Sequence, residues 1–153
     1  MKIRKANKDE WSKLQDLNNE VFIDNAKYDP DIIKDWAHSE AGEKYFKELV
    51  NDQKSLCIVA KTDSGELVGY LAASPKPFGY RKSKYIEVDN MGVIPEYRSK
   101  GLGKELMDKA VEWAKENGFQ KVYVCSYFEN DKAIKFYEKC GYKKIDVSLE
   151  REI

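Results

Sequence analysis

The sequence predicts an α/β (α+β) fold, with a mixed, mostly antiparallel sheet and helices on both faces. Three observations lead there. Apolar periodicity runs β-α-α-β-β-β-α-β-α-β along 153 residues, a length that suits one domain spanning 1–153. Runs of consecutive strands in this order pair antiparallel. One later helix bridges two strands, the β-α-β crossover that makes neighbouring strands parallel.

Each element has its own signal. Lys2 to Ala6 reads as a short strand, and Asn7 with Glu10 forms a capping box ahead of a helix over 8–23. Trp11, Leu14, Leu17, Val21 and Phe22 repeat at helical spacing within it. Asp29-Pro30 opens a second helical region, lined first by Ile32, Ile33 and Trp36 and, after Gly42, by Tyr45, Phe46, Leu49 and Val50. The period then changes to two. Ser55–Lys61 and Glu66–Ala73 flank Asp63-Ser64-Gly65 as a hairpin, and the two prolines and glycine of 74–83 mark a loop. Lys84 to Ile94 is a long strand stopped by Pro95, followed by a helix from Leu102 to Asn117 that ends at Gly118. A strand over Gln120–Phe128, a helix over Asn130–Lys139 and a last strand over Tyr142–Glu150 complete the chain.

Composition narrows the function. The chain carries 27 Lys plus Arg and 27 Asp plus Glu, so no basic excess invites nucleic acid. The 42% hydrophobic and 12% aromatic shares argue for a packed core. Membrane spans need about 20 apolar residues, and no stretch approaches that. The charged start MKIRKANKDE does not resemble a signal peptide. Cys57, Cys125 and Cys140 form no CxxC pair and leave one over in any disulfide scheme, so reduced thiols in a cytoplasmic protein are expected. His38 is the only histidine, which disfavours a metal site.

The informative stretch is Asn90 to Met107, NMGVIPEYRSKGLGKELM. A strand ends, a turn carries Arg98, Gly101 and Gly103, and a helix starts at once. Helix N-termini leave N–H groups unpaired at the positive end of the dipole, a natural phosphate site. Arg98, Lys100 and Lys104 add positive charge. A Rossmann fingerprint would need a third glycine where Leu106 stands, and a Walker A loop would need glycine and Ser/Thr where Arg98 and Glu105 stand.

Arg98-Ser-Lys-Gly101-Leu-Gly103 resembles the Arg/Gln-x-x-Gly-x-Gly/Ala signature of the GNAT superfamily of N-acetyltransferases. The flanking strand and helix, KVYVCSYFEN, and NDKAIKFYEKCGY from Asn130 to Tyr142 resemble it too, so the likeness covers about residues 84–145. The resemblance implies a sheet splayed at its centre and acetyl-CoA as acyl donor. Amides of Arg98, Ser99, Lys100, Gly101, Leu102, Gly103 and Lys104 would cradle its pyrophosphate. Met91, Gly92 and Val93 would pair with its pantetheine arm like an added strand. Asn130, at the start of the last helix, would contact the pantetheine or adenine-side arm, with Ala133 also at the cofactor.

Attack on a thioester needs a neutral amine, and hence a base, while the departing thiolate needs an acid. The resemblance puts the acid at Tyr137. The base is Glu87 or Asp89, two apart and therefore on one face of the strand unless a bulge intervenes. A covalent route through Cys140 is disfavoured because no base adjoins it. The expected function is acetyl transfer to a primary amine in a small molecule or peptide, by direct attack in a ternary complex, in a monomer or homodimer. The alternative is a non-catalytic acyl-CoA sensor. Asp24, Asp29, Asp31 and Asp35 are the acidic cluster that a cationic acceptor would meet.

Overall fold

The computed structural model describes residues 1–153. Strand β1 (Lys2–Lys5) leads into a short 3₁₀ turn and helix α1 (Trp11–Asn25), and helix α2 (Glu40–Asn51) follows. Strands β2 (Leu56–Lys61), β3 (Leu67–Lys76) and β4 (Tyr85–Val93) come next, then α3 (Leu102–Glu116), β5 (Lys121–Val124) and α4 (Asp131–Lys139). The sheet order is β1-β2-β3-β4-β5, antiparallel throughout except for the parallel β4–β5 pair. The crossover between β4 and β5 is α3.

The period of two in β2 and β3 sorts the core into two layers. Leu56, Ile58, Val68 and Leu71 join Ile86 and Val88 of β4 beneath Leu102, Leu106, Met107, Ala110 and Ala114 of α3. Cys57, Val59, Tyr70 and Ala72 face the other way, onto Leu14 and Leu17 of α1 and Phe46 and Leu49 of α2. Both faces of the sheet are therefore helix-covered, as expected. The expected capping box holds: the Asn7 N–H donates to Glu10 Oε2 at 2.7 Å. The Arg4 guanidinium grips the same carboxylate at 2.6 and 2.8 Å. No helix is long and apolar enough to cross a membrane.

Three expectations change. Residues 26–39 are not one helix with 40–51: isolated turns and a 3₁₀ turn at Trp36–His38 precede α2, whose first turn is capped by Ser39 Oγ accepting from Gly42 N–H. The supposed loop begins later, because β3 continues to Lys76. Pro75 is tolerated there since β2 pairs no further than Ala73, so the missing N–H deprives no strand on that side. Finally, Tyr142–Glu150 forms no strand, and β5 stops at Val124 rather than Phe128. Alternation supplies a strand with a face, but pairing needs a neighbouring backbone, and β5 is the sheet's edge.

Candidate active site

Strand β4 does two things along its length. Tyr85–Val88 pairs with β5 residues Lys121–Val124, and beyond that point β4 keeps only its β3 partner. The sheet thus parts after Val88, and the β5-side edge of 89–93 opens into a cleft. At the same place the β3–β4 register slips: Ala72 faces Asn90 while Ala73 faces Val88. Asp89 is the extra residue of this bulge, a device that re-aims side chains beside functional sites.

The two candidate carboxylates share one face of β4 but have different partners. Glu87 lies opposite Ser74 and Tyr123, and the Lys76 ammonium holds its carboxylate at 2.7 Å. Asp89 instead accepts from Ser74 Oγ at 2.7 Å. Asp89 is exposed at the groove, yet partial desolvation by the surrounding walls lifts its carboxyl from 3.8 to about 6, with the Glu87 charge adding to the rise and the Ser74 bond and Lys76 charge opposing it. A carboxyl near 6 is mostly ionised at neutral pH yet close enough to it to exchange a proton, whereas Glu87 is committed to a cation.

Asp89 and Asn90 border a groove of about 400 Å³ between the sheet and the α1–α2 side, with Phe22, Trp36 and Tyr45 among its walls and Glu48 and Asp52 at its rim. Trp36 stacks on Phe22 at 5.7 Å and leans on Tyr45 at 5.7 Å. Asn90 Nδ2 donates to the Tyr45 hydroxyl at 3.2 Å, while Asn90 Oδ1 is buried without a donor. The groove thus joins an aromatic wall to carboxylates, a surface suited to an ammonium group.

On the α3 side, the turn after β4 carries Ser99 at φ 60° and Gly101 at φ 89°. Two left-handed residues flank Lys100, an alternation of backbone hands that makes a nest of amides, and only glycine takes the second conformation at little cost. The N–H groups of residues 99–104 donate to no group of the chain; the first helical bond comes from Glu105 N–H to Gly101 C=O at 3.1 Å. Six such donors at a helix N-terminus fit a pyrophosphate. Leu102 is buried and anchors the turn.

The charged side chains of this loop are employed differently than expected. Arg98 Nε donates to Val93 C=O at 2.6 Å and Arg98 Nη1 meets Asp24 at 2.8 Å, so the guanidinium ties the end of β4 to α1. Lys104 pairs with Asp108 at 2.6 Å, and Lys100 lies over the Tyr97 ring. Gly103 serves helix packing as well as ligand approach: a Cβ there would stand 3.2 Å from Phe136.

Met91, Gly92 and Val93 pair with Leu71, Tyr70 and Gly69 and turn their other edge to the cleft. Met91, Val93 and Val124 pack on the α3-side core together with Tyr137 of α4. Asn130 caps α4, its Oδ1 accepting from Ala133 N–H at 3.1 Å, which leaves Nδ2 as its donor toward any ligand. Burial pushes the Tyr137 phenol up to about 12, so it stays protonated. Cys140 is also pushed up by burial, which makes it a poor nucleophile.

The acidic cluster read from sequence does not assemble. Asp24 is bound to Arg98, and Asp29 accepts from Tyr127 Oη at 2.9 Å and from Asp31 N–H at 3.0 Å. The groove's carboxylates are Asp89, Glu48 and Asp52 instead. Sequence reasoning also missed Trp36 and Tyr45 as groove walls, assigning both to apolar helix faces. Their polar-edged aromatic rings were the available signal.

The sheet thus parts beside six unpaired amides, with a groove bordered by Asp89, Glu48 and Asp52 on the α1–α2 side. The model of the acetyltransferase (GNAT) family matches residues 11–142, and the chain belongs to that family of acetyl-CoA-dependent acyltransferases. It is 32% identical over 140 residues to an uncharacterized N-acetyltransferase of Archaeoglobus fulgidus, covering 90% of this chain and 89% of that one. Its fold resembles the BH1408 protein of Bacillus halodurans, with a TM-score of 0.87 at 19% identity over 100% and 99% of the two chains. It also resembles the aminoglycoside N-acetyltransferase AAC(6')-Iy, solved with a CoA-containing bisubstrate analogue, with a TM-score of 0.75 at 19% identity over 99% and 97%.

Proposed function

We propose that this chain transfers the acetyl group of acetyl-CoA directly to a primary amine held in the groove at Asp89. One observation carries the reading: the open edge of β4, the six undonated amides of 99–104 and the raised carboxyl of Asp89 meet where the sheet parts. Acetyl-CoA supplies an activated acyl thioester. The 99–104 amides would hold its pyrophosphate, and the free edge of Met91, Gly92 and Val93 its amide-rich arm.

The chain's own residues divide the remaining work. The Asp89 carboxylate accepts from the amine, which arrives as an ammonium and must lose a proton before attack. Asp89, at about 6, takes that proton at neutral pH. Tyr137, protonated to about 12, donates at its phenolic oxygen toward the departing sulfur. Glu87, neutralised by Lys76, shapes the field at Asp89 rather than acting as base. The free thiols of Cys57, Cys125 and Cys140 suit a cytoplasmic setting.

A panel of primary amines, including diamines, aminoglycosides and lysyl peptides, scored by CoA thiol release tests the reading. Amine-dependent release with acetyl-CoA is the expected result. Tight acetyl-CoA binding with no release on any amine would instead mark a sensor module and overturn the transfer.

A further inference from the structure

We propose that Tyr45 is a specificity-determining residue of the groove, its hydroxyl donating to an oxygen that the acceptor carries within two carbons of its primary amine. This rests on the reading of the groove at Asp89 as the place of the amine. It narrows the acceptor from any primary amine to amino alcohols and aminoacyl amines.

The Tyr45 ring is fixed by its neighbours. Phe46 meets it edge-on at 4.9 Å and Trp36 leans on it at 5.7 Å, so the hydroxyl stands at the end of a rigid arm in the groove lining. Asn90 Nδ2 donates to that hydroxyl at 3.2 Å. A phenolic oxygen that accepts in this way keeps its own proton for donation, and no group of the chain takes it. Burial and the nearby Asp89 charge push the phenol above the ordinary tyrosine range, so the proton stays in place at working pH. The other hydroxyls of the groove are already used. Ser55 Oγ donates to Asp52 Oδ2 at 2.6 Å, and Ser74 Oγ to Asp89 Oδ2 at 2.7 Å.

The free hydroxyl stands beside the base. Asp89 and Asn90 are consecutive, and the bulge brings both side chains to the α1–α2 side, where Asn90 holds Tyr45. Asp89 and Tyr45 make no hydrogen bond to each other, and Asp89 Oδ1 receives none from the chain. A group seated between them therefore meets an acceptor on one side and a donor on the other.

An ammonium answers only half of that pair. It offers N–H groups and has no lone pair, so it satisfies Asp89 and leaves the Tyr45 O–H unmatched. A plain alkylamine entering the groove would strip water from the O–H and give nothing in return. A hydroxyl or carbonyl oxygen on the acceptor restores the bond, the asymmetry by which a polar site rejects an analogue lacking the matching group. The spacing is bounded as well. Consecutive residues start about 3.8 Å apart, so the oxygen belongs within two carbons of the nitrogen.

Initial rates of thiol release with acetyl-CoA give kcat/KM for two pairs of acceptors matched in size. The first pair is 2-aminoethanol against propylamine, for a hydroxyl oxygen; the second is glycinamide against isobutylamine, for a carbonyl oxygen. Parent and Tyr45→Phe are compared on the same pairs, so differences in amine basicity cancel, as does any fraction of the variant that fails to fold. The preference for the oxygen-bearing member should fall by about tenfold or more in Tyr45→Phe. The pair with the larger fall distinguishes an amino alcohol from an aminoacyl amine. A preference that Tyr45→Phe leaves unchanged in both pairs overturns the proposal while acetyl transfer stands. Release with the alkylamines and none with their oxygen-bearing partners overturns it too. No release with any primary amine would instead overturn the transfer reading on which it rests.

Discussion

Replacing Asp89 by Asn separates the base from its surroundings with the least change of shape. In the parent, a carboxyl titrating at about 6 must be ionised to accept the proton. Its ionised fraction is roughly a tenth at pH 5, a half at pH 6 and nine-tenths at pH 7, so kcat/KM should climb about tenfold over that interval and then level. Asn accepts no proton, and the variant should lose both this limb and about 10²–10⁴-fold of rate, the usual worth of a positioned base. Initial rates of thiol release from pH 5 to 8, under subsaturating amine, read both effects. The partner substitution Ser74→Ala sharpens the test. Ser74 Oγ donates to Asp89 Oδ2 at 2.7 Å and lowers its titration point, so removing it should move the limb to higher pH without abolishing it. Stability runs the opposite way to activity. Because the folded-state titration lies above the ordinary carboxyl value of 3.8, the stabilising contribution of protonated Asp89 is complete below that value and is lost as pH rises through about 6. Asp89→Asn should therefore be no less stable than the parent at pH 7, and slower. A variant that keeps the parent's pH limb and rate would remove Asp89 as the base.

Tyr137→Phe should lower kcat by about 10²-fold with little change in the acetyl-CoA KM, since the phenol has no partner within the chain and its loss orphans nothing. Unaltered turnover in steady-state assays would exclude it as the acid. Gly101→Ala tests the nest without crowding, because a Cβ there meets nothing within 4 Å. Holding alanine at φ 89° costs about 1–2 kcal/mol, so calorimetry should show a several-fold or greater loss of acetyl-CoA affinity, and undiminished affinity would detach the loop from the cofactor.

Most of the sheet and its layers were legible because period-two apolar runs in Leu56–Lys61 and the strands after it leave each face a distinct partner helix. The glycine-rich turn was legible because Gly101 and Gly103 stand between a strand and a helix. What escaped was relational. Nothing local in Glu87-Val88-Asp89 announces which side chains of β3 lie across from them, so two carboxylates read as equivalent come out with different partners, Lys76 and Ser74. Arg98 looked like a free cation because its partner Asp24 is distant in sequence. Residues 142–150 read as a strand because alternation is local, while the backbone partner that would make them one is not.

The bulge and the parting of the sheet are best understood as one construction. Pairing of β4 with β3 along nearly its whole length keeps Met91, Gly92 and Val93 rigid while their far edge is bare. Alternation puts Glu87 and Asp89 on the α1–α2 side, and the extra residue turns Asn90 to that side as well, beside Tyr45. Across the strand Glu87 meets Lys76 while Asp89 accepts from Ser74. Release of β5 after Val88 then exposes the same span of β4 to a ligand, and α3 begins where that span ends. Inserting one residue between Ala72 and Ala73, opposite Asp89, would restore the alternation with Asp89 kept and turn Asn90 away from the groove, and should lower amine-dependent thiol release sharply; an unchanged rate would detach the bulge from the chemistry.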